Sequence, residues 1–146
     1  MILQEYIQGV DASVSLVADG RCAIAMTVNA QALGSWPTFA YCGGETPFDH
    51  ALASEAMAAA VDACRALPGL RGFVGVDVIL TASDVVVIEV NPRLTTAYLG
   101  VRAAIDGNVA QLALAACAGH LPAAPHPCRR VRFTASGQVV VLRGAA

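Results

Sequence analysis

Two apolar runs near the middle of the chain, residues 72–81 and 85–91, are separated only by Ala82-Ser83-Asp84. Both runs are rich in valine and isoleucine, so we interpret them as the two strands of an antiparallel hairpin. The second strand ends in Glu89 and Asn91. A strand made only for packing does not need these polar side chains, so this hairpin constrains both the fold and the position of a candidate site.

The register of the hairpin decides which side chains meet. Side chains on a strand alternate between faces, which predicts that Glu89 and Asn91 share a face with Val85 and Val87. A three-residue loop places Asp77 directly opposite Glu89, whereas a two-residue loop places the two carboxylates on opposite faces. We expect the three-residue loop and the facing pair.

In that register three oxygen-bearing side chains, Asp77, Glu89 and Asn91, share one patch of sheet. Opposed carboxylates repel each other, and burying them unpaired is costly. A divalent cation removes this cost, and Mg²⁺ is commonly held by one or two carboxylates together with substrate phosphates. The three residues are therefore candidate magnesium ligands. The alternative is that they are the solvated polar end of an amphipathic hairpin.

The composition limits the class of protein. A chain of 146 residues with 56% hydrophobic and 14% charged residues favours one compact domain of helices and strands and excludes disorder. A net charge of −2 without a basic cluster argues against nucleic acid or a membrane surface as a partner. No long apolar segment or leader is apparent, so we expect a cytoplasmic protein. The five cysteines contain no C-x-x-C pair, so we interpret them as buried thiols.

The rest of the chain alternates between predicted strands and helices. Asp19-Gly20 predicts a hairpin turn, Asp49 is a candidate N-cap, and Pro68-Gly69 is a helix stop. The predicted strands are residues 12–17, 22–28, 38–42 and a last hairpin turning at Ser136-Gly137. The predicted helices are residues 50–67, 97–105 and 108–118, and the predicted connectors are residues 32–37 and 122–127.

The segment GFVGVDVILTASDVVVIEVNPR, residues 72–93, resembles the metal-binding end of the ATP-grasp ligases. The resemblance implies an α+β fold, a mainly antiparallel sheet with flanking helices that forms the C-terminal part of the ATP-grasp fold. It implies that Asp77 and Glu89 are magnesium ligands, with Glu89 bridging two ions. Asn91 is then a ligand of the second ion and a phosphate contact. Arg93 resembles the arginine that stabilises the acyl phosphate, and the alternative for it is a surface ion pair.

The segment LQEYIQGVDASVSLV, residues 3–17, resembles the hinge of the same family. The resemblance implies that Gln4, the carbonyl of Glu5 and the amide of Ile7 contact adenine and that Asp11 binds the ribose. The family more often has glutamate at the positions of Gln4 and Asp11. The alternative is a strand start preceded by a turn.

Within the family, QEYIQG, SVS, YCGGETP and NPRLTTAY most resemble the tyramine–glutamate ligase type of methanofuran and methylofuran biosynthesis. Such enzymes phosphorylate a carboxylate with ATP, and an amine then attacks the acyl phosphate to give an amide. The implied cofactors are ATP and Mg²⁺, with Mn²⁺ as an alternative ion. Thr95, Thr96 and Tyr98 are candidates for the acceptor site, with helix capping as the alternative for Thr96. Gly43-Gly44 suits either close approach to a substrate or a turn.

All nine basic residues are arginine, and the chain has no lysine. In ATP-grasp ligases the N-terminal lobe supplies lysines that neutralise the nucleotide phosphates. The resemblance therefore implies that residues 1–146 are a partial ATP-grasp domain, the hinge plus the C-terminal lobe, without the N-terminal lobe. We expect the chain to be inert alone, to need that lobe as a partner for small-molecule carboxylate and amine substrates, and to form a homodimer when isolated. The alternative is a non-catalytic interaction or dimerisation module.

Overall fold

A computed structural model describes residues 4–35, 38–121 and 123–142. In these residues a single antiparallel sheet carries three helices. The strands are β1 Val10–Asp19, β2 Ala23–Leu33, β3 Tyr41–Thr46, β4 Arg71–Leu80, β5 Val85–Asn91, β6 Arg130–Thr134 and β7 Val139–Leu142. The helices are α1 Ala53–Arg65, α2 Tyr98–Ala104 and α3 Val109–Cys117. None of these helices has both the length and the apolar character needed to cross a lipid bilayer.

The strands lie in the order β5-β4-β1-β2-β3-β6-β7, and every neighbouring pair is antiparallel. Four of the pairs join consecutive strands: β2–β3 has the longest connection, and the other three, β1–β2, β4–β5 and β6–β7, are tight hairpins. Their turns are short, and Gly20 and Gly137 in the first and last of them have φ of 98° and 95°. Short turns of this kind can only join antiparallel neighbours. The turn residues therefore account for these hairpins, whereas the β1–β4 and β3–β6 pairs join strands that are distant in the chain.

One face of the sheet, which we call the α1 face, is apolar over β1, β2, β4 and β5, whereas at β3 and β6 it carries Glu45, which pairs with Arg130 and Arg132. Alternate residues of β1 point to it, and Val14 and Leu16 are fully buried there. Helix α1 covers this face through Ala56 and Ala60, whose small side chains let the helix lie close to the strands. Burial of this apolar surface is the main contribution to the stability of the domain.

The opposite face, which we call the cleft face, is apolar only at one end. There Val17, Met26 and Phe73 pack against Val101 and other residues of α2 and α3. At the other end the same alternation places polar residues of β1, β2, β4 and β5 on this face. No helix of the described residues packs over that polar end, which leaves a cleft.

A buried polar row joins the two ends of the cleft face. The Nδ2 atom of Asn29 donates to Ser13 Oγ at 3.2 Å and to Ser15 Oγ at 3.0 Å, and Thr27 Oγ1 donates to Asn29 Oδ1 at 2.9 Å. Each such bond contributes on the order of 1 kcal/mol, and a buried polar atom without a partner would cost more. The row is therefore satisfied internally and fixes the register of β1 against β2.

Several sequence predictions need correction. Helix α1 begins at Ala53 with Leu52 as its N-cap, so Asp49 is not the cap. His50 satisfies the first turn instead, because its Nδ1 accepts from the Leu52 N–H at 3.1 Å and its carbonyl from the Ala53 N–H at 3.0 Å. Strand β3 begins at Tyr41 rather than residue 38, and β2 extends into the predicted loop 32–37. Pro37 and Pro122, which belong to the predicted connectors, lie outside the described residues.

The expectation of buried thiols is wrong for most of the cysteines. Only Cys64, on the inner side of α1, is buried, and burial raises the pKa of its thiol. The exposed cysteines are Cys22, Cys42, Cys117 and Cys128. None of the five forms a disulfide.

Candidate functional site

The candidate site depends on an irregularity in the β4–β5 hairpin. At the turn Leu80 pairs with Val85 and the Thr81 N–H donates to the Asp84 carbonyl at 2.9 Å, which is the register of the two-residue loop. The expected three-residue loop is therefore wrong. A β-bulge between Asp77 and Val78 then shifts the register by one residue. As a result Asp77 pairs with Glu89, and the predicted facing pair is confirmed by a different mechanism.

The bulge also changes which residues share a face. Val78 pairs with Val87 and Asp77 with Glu89, so Ile88 is the extra residue. Val85 packs with the core of the α1 face, whereas Glu89 lies opposite Asp77 on the cleft face. The prediction that Glu89 shares a face with Val85 is therefore wrong, because strict alternation does not hold across a bulge.

The cleft has a volume of about 160 Å³ and is open to solvent on one side. It lies over the polar end of the cleft face, and the segment after β5 forms its second wall. Its lining residues are Ser13, Gln31, Tyr41, Asp77, Asn91, Arg93, Thr95, Thr96 and Ala97. Glu89 is exposed beside Asp77, at the margin of this cleft.

Both carboxylate oxygens of Asp77 accept hydrogen bonds from side-chain amides. Gln31 Nε2 donates to Oδ1 at 2.8 Å, and Asn91 Nδ2 donates to Oδ2 at 3.0 Å. Gln31 lies on β2 and reaches Asp77 across the intervening strand β1, where Ser13 pairs with Asp77. The small Ser13 side chain leaves room for this contact. The orientation of Asp77 is thus held from two strands.

Burial and a neighbouring like charge raise the pKa of the Asp77 carboxylate. Loss of water around the carboxylate raises its pKa, the charge of Glu89 raises it further, and the hydrogen bonds from Gln31 and Asn91 oppose both effects. The net direction is upward. Tyr41 in the same cleft has its pKa raised to about 12, mainly by burial and then by the charge of Asp77.

Arg93 lies in an exposed position next to Asn91, the hydrogen-bond partner of Asp77. Its Nη2 donates to Asn91 Oδ1 at 3.1 Å and its Nη1 donates to the Leu94 carbonyl at 3.3 Å. Asn91 is only 6% exposed. Its amide links Arg93 to Asp77, because its oxygen accepts from Arg93 and its nitrogen donates to Asp77. Arg93 makes no ion pair among the described residues, which leaves its charge available to an anion.

The side chains fit a magnesium ion held together with phosphates. Asp77 and Glu89 supply two carboxylates, and Asn91 supplies an amide oxygen. Asp77 is partly buried and lies opposite a second carboxylate, and a bound cation would offset the cost of both. No cluster of three or more His, Cys, Asp or Glu side chains is placed to hold an ion in residues 4–35, 38–121 and 123–142. Such a site would therefore need ligands from a nucleotide and water.

A second groove, of about 440 Å³, lies at the hinge segment. Its walls are the segment from Gln4 to Ile7 and the outer edge of the β4–β5 hairpin, including the bulged Ile88. A Cβ atom on Gly9 would lie 2.5 Å from the Leu80 carbonyl oxygen, so only glycine lets the segment run this close to β4. The predicted adenine contacts Gln4, Glu5 and Ile7 all line this groove.

Asp11 lies between this hinge groove and the cleft. It is half-buried on β1 and pairs with Ile79 of β4, two residues from the pair of Ser13 and Asp77. Asp11 therefore shares the cleft face with Asp77. The hinge groove, Asp11 and the carboxylate pair follow one another along this face.

The remaining candidates from the sequence, three near the start of α2 and two glycines of β3, lie in different places. Thr95 and Thr96 line the cleft, whereas Tyr98 packs edge-to-face on Phe73 with ring centroids 5.9 Å apart. Ala97 is the N-cap of α2 and no side chain caps it, so Thr96 does not. Gly43 and Gly44 do not form a turn. They lie inside β3, where Cβ atoms would be 2.1 Å from the Phe133 oxygen and 2.2 Å from the Ala30 oxygen.

Sequence reasoning missed Gln31, Tyr41 and Ser13 as cleft residues. The run Thr27-Val28-Asn29-Ala30-Gln31 carried a signal, because polar and small apolar residues alternate along it. This alternation indicates a strand with one polar face. It does not say which partner the last amide reaches, since β1 lies between Gln31 and Asp77.

A model of the ATP-grasp domain matches residues 1–97, which is more than half of the chain. The tyramine–L-glutamate ligases of Methanocaldococcus jannaschii and Methanocaldococcus fervens are 35% identical over 101 residues. The matched segment is 69% of this chain and 32% and 33% of those proteins. The chain thus spans about a third of the length of these curated relatives.

Solved structures show the same fold. A crystal structure of an ATP-grasp superfamily protein from Archaeoglobus fulgidus has a TM-score of 0.72 and 31% identity, covering 96% of this chain and 48% of that one. N5-carboxyaminoimidazole synthase from Aspergillus clavatus has a TM-score of 0.73 at 15% identity, covering 86% and 34%. The predicted α+β fold with a mainly antiparallel sheet is confirmed. This chain belongs to the ATP-grasp family.

Proposed function

We propose that this chain is the ATP- and magnesium-binding lobe of an ATP-grasp ligase that forms an amide from a carboxylate and an amine through an acyl phosphate. One observation carries the proposal: the bulge brings Asp77 opposite Glu89 on the cleft face, beside Asn91 and Arg93. Two opposed carboxylates are unfavourable without a cation. The relatives named as tyramine–L-glutamate ligases support the amine and carboxylate as substrate classes.

The residues of the site have distinct roles in this proposal. Asp77 and Glu89 hold magnesium, and Asn91 is a ligand of a second ion and a phosphate contact. Bound Mg²⁺ neutralises charge on the phosphate oxygens. The exposed guanidinium of Arg93 binds the reacting carboxylate and then its acyl phosphate, because a planar fork of N–H donors suits both anions. Gln31 holds Asp77 in the orientation that the site requires.

The nucleotide lies along the cleft face. The apolar walls of the hinge groove suit adenine, with polar contacts from Gln4, the Glu5 carbonyl and the Ile7 amide. Asp11 is the ribose contact, because it lies between that groove and the carboxylate pair. The phosphates then reach Asp77 and Glu89. The order of these features along one face supports a single extended ligand.

The proposed lobe works with an N-terminal lobe that these 146 residues do not contain. The lack of lysine supports this, since only arginine is available here to compensate phosphate charge. We expect weak nucleotide binding and no amide formation by the chain alone. ADP release that depends on an added amine would overturn this part of the proposal.

Magnesium-dependent nucleotide binding tests the proposal directly. Titration of the chain with ATP, with and without Mg²⁺, should shift the amide resonances of residues 4–11 and 77–93. Asp77→Asn should abolish the magnesium dependence. Asp84→Asn, in the exposed turn of the same hairpin, is the matched control and should retain it. Binding that is identical with and without Mg²⁺ in the unaltered chain would contradict the proposed metal site.

We also propose that the isolated chain forms homodimers through β7. This strand is at one edge of the sheet, and Val139, Val140 and Val141 are all at least 38% exposed. An apolar edge strand pairs readily with another chain. Val140→Lys should convert the dimer into a monomer in light scattering, and a wild-type chain that is monomeric at high concentration would contradict this.

A further inference from the structure

A third concavity, which we call the α3 groove, lies beside the cleft and is separate from the hinge groove. Its volume is about 380 Å³, within the range of small-molecule sites. Its walls are the start of β4, the segment after β5, and helices α2 and α3. The lining residues that decide its chemistry are Arg71, Phe73, Arg93, Leu94, Tyr98 and Leu114, and Ala110 of α3 also faces it.

The groove forms because β4 is longer than its neighbour β5. Asn91, the last residue of β5, pairs with Gly75, so β4 from Arg71 to Val74 has no strand partner on that side among the described residues. The chain leaves the sheet at Pro92, and α3 lies against the start of β4. A Cβ atom on Gly72 would be 2.8 Å from Cys117 Sγ, which shows how closely the helix approaches.

The chemistry of the lining selects a class of ligand. Phe73 and Tyr98 form an aromatic wall, and the rim carries Leu94 and Leu114, which are 58% and 71% exposed. The charged residues of the lining are two arginines, and no carboxylate is among them. This combination is complementary to an organic anion with an apolar body and disfavours an ammonium group.

Arg93 also connects the groove to the reaction site. It lines both the α3 groove and the cleft that contains Asp77. Its charge has no ion-pair partner in the described part of the chain. A carboxylate bound at Arg93 would lie at the junction of the two concavities, with its body in the groove.

We infer that the α3 groove binds the carboxylate substrate, with the carboxylate at Arg93 and an apolar body along Phe73, Leu94 and Tyr98. The inference rests on the proposed function for the identity of the reacting group. It adds that the acid is recognised by this lobe and that the part of the acid next to the reacting carboxylate is apolar.

A matched pair of probes tests the ligand class. Phenylpropionate and phenylpropylamine have the same apolar body and opposite head groups. We expect phenylpropionate to shift the resonances of Tyr98 and Leu114 with a dissociation constant on the order of millimolar, and phenylpropylamine to bind at least about tenfold more weakly. Equal or tighter binding of the amine, or no binding of either probe, overturns the inference.

Two pairs of variants test the location. Ala110→Trp fills the groove from an exposed position on α3 and should weaken phenylpropionate binding at least about tenfold. Gln111→Trp, on the same helix and outside the lining, should leave it unchanged. Arg93→Met should abolish the preference for the acid, whereas Arg71→Met should retain it. The opposite result for the two arginines would place the carboxylate at Arg71, at the other end of the groove, and overturn the inference.

Magnesium-dependent ATP binding by the same variants separates this inference from the proposed function. Ala110→Trp should retain it, since the tryptophan lies in the groove and not in the cleft. Loss of acid binding with intact ATP binding supports the groove. If the unaltered chain binds ATP with magnesium but neither probe, the groove inference fails and the proposed function stands. If it binds the acid but not ATP, the proposed function fails.

Discussion

The two faces of the sheet are built from the same strands but differ in what they can do. On β1, Val14 and Leu16 point to the α1 face, while Ser13 and Ser15, which alternate with them, point to the cleft face. The α1 face is covered by a helix and is apolar over β1, β2, β4 and β5, with ion pairs only at β3 and β6 among the described residues. The cleft face is sealed at one end and polar at the other. Stability and candidate function are thus divided between alternate residues of one strand.

The largest loss of stability should come from a substitution on the α1 face. Leu16→Ala removes a fully buried side chain and should lower the free energy of unfolding by about 2–5 kcal/mol. Chemical denaturation measures this. Leu94→Ala, at an exposed position, is the control and should change stability by less than about 0.5 kcal/mol. Equal losses for the two variants would show that the α1 face is not the main core.

The next effect concerns the floor of the cleft. A Cβ atom on Gly75 would be 2.6 Å from Thr95 Cγ2, so Gly75→Ala should destabilise the chain by about 1–3 kcal/mol. Thr95→Ser removes the obstructing methyl group. The double variant should therefore recover most of the loss in thermal unfolding. A strictly additive double-mutant cycle would contradict direct packing of Thr95 on the sheet.

Gln31 should affect the cleft without affecting the core. Gln31→Met keeps the size of the side chain and removes the N–H donor to Asp77. Without this bond Asp77 is less well oriented. The affinity for the nucleotide in the presence of Mg²⁺ should therefore fall about tenfold, as is typical when a residue that orients a metal ligand is replaced. Titration calorimetry measures this, with Gln111→Met as the control. Unchanged affinity would assign Gln31 a packing role only.

The smallest effect is a pH dependence on the cleft face. The pKa of Asp77 is raised above 3.8, so the folded state binds this proton more tightly than the unfolded state. Stability from this group is fully present below pH 3.8 and falls as the pH rises through the folded-state pKa. Asp77→Asn should therefore be more stable than the unaltered chain at neutral pH, and the difference should shrink in acid. A constant difference across denaturation curves from about pH 3 to about pH 8 would contradict this.

The strands of the β4–β5 hairpin and the approximate positions of the helices could be predicted from local pattern. Valine-rich runs and turn residues located β4 and β5 to within one residue. Asp49 was a wrong N-cap because His50 supplies the acceptors for the first turn. Tyr98, a candidate for the acceptor site, lies outside the cleft because its ring packs on Phe73, which is distant in sequence. Local signals do not contain such contacts.

The resemblance of residues 72–93 identified the carboxylates and the family before any geometry was known. It could not identify Gln31, because this residue is on β2 and reaches Asp77 across β1. It could not identify the α3 groove either, because the groove arises where β4 extends beyond β5. The hinge residues Gln4, Glu5, Ile7 and Asp11 were predicted from resemblance alone. Their roles stay predictions that nucleotide titration can test.

The sequence alone determined the two strands of the β4–β5 hairpin and the approximate positions of the three helices, because periodicity follows from the geometry of the backbone. Tertiary structure decided whether Asp77 meets Glu89. The turn adopts the register that would separate them, and the bulge at Ile88 restores the pairing. A bulge is a compromise between turn geometry and the packing of both sheet faces. Such a compromise involves residues from several strands at once, so no single segment encodes it.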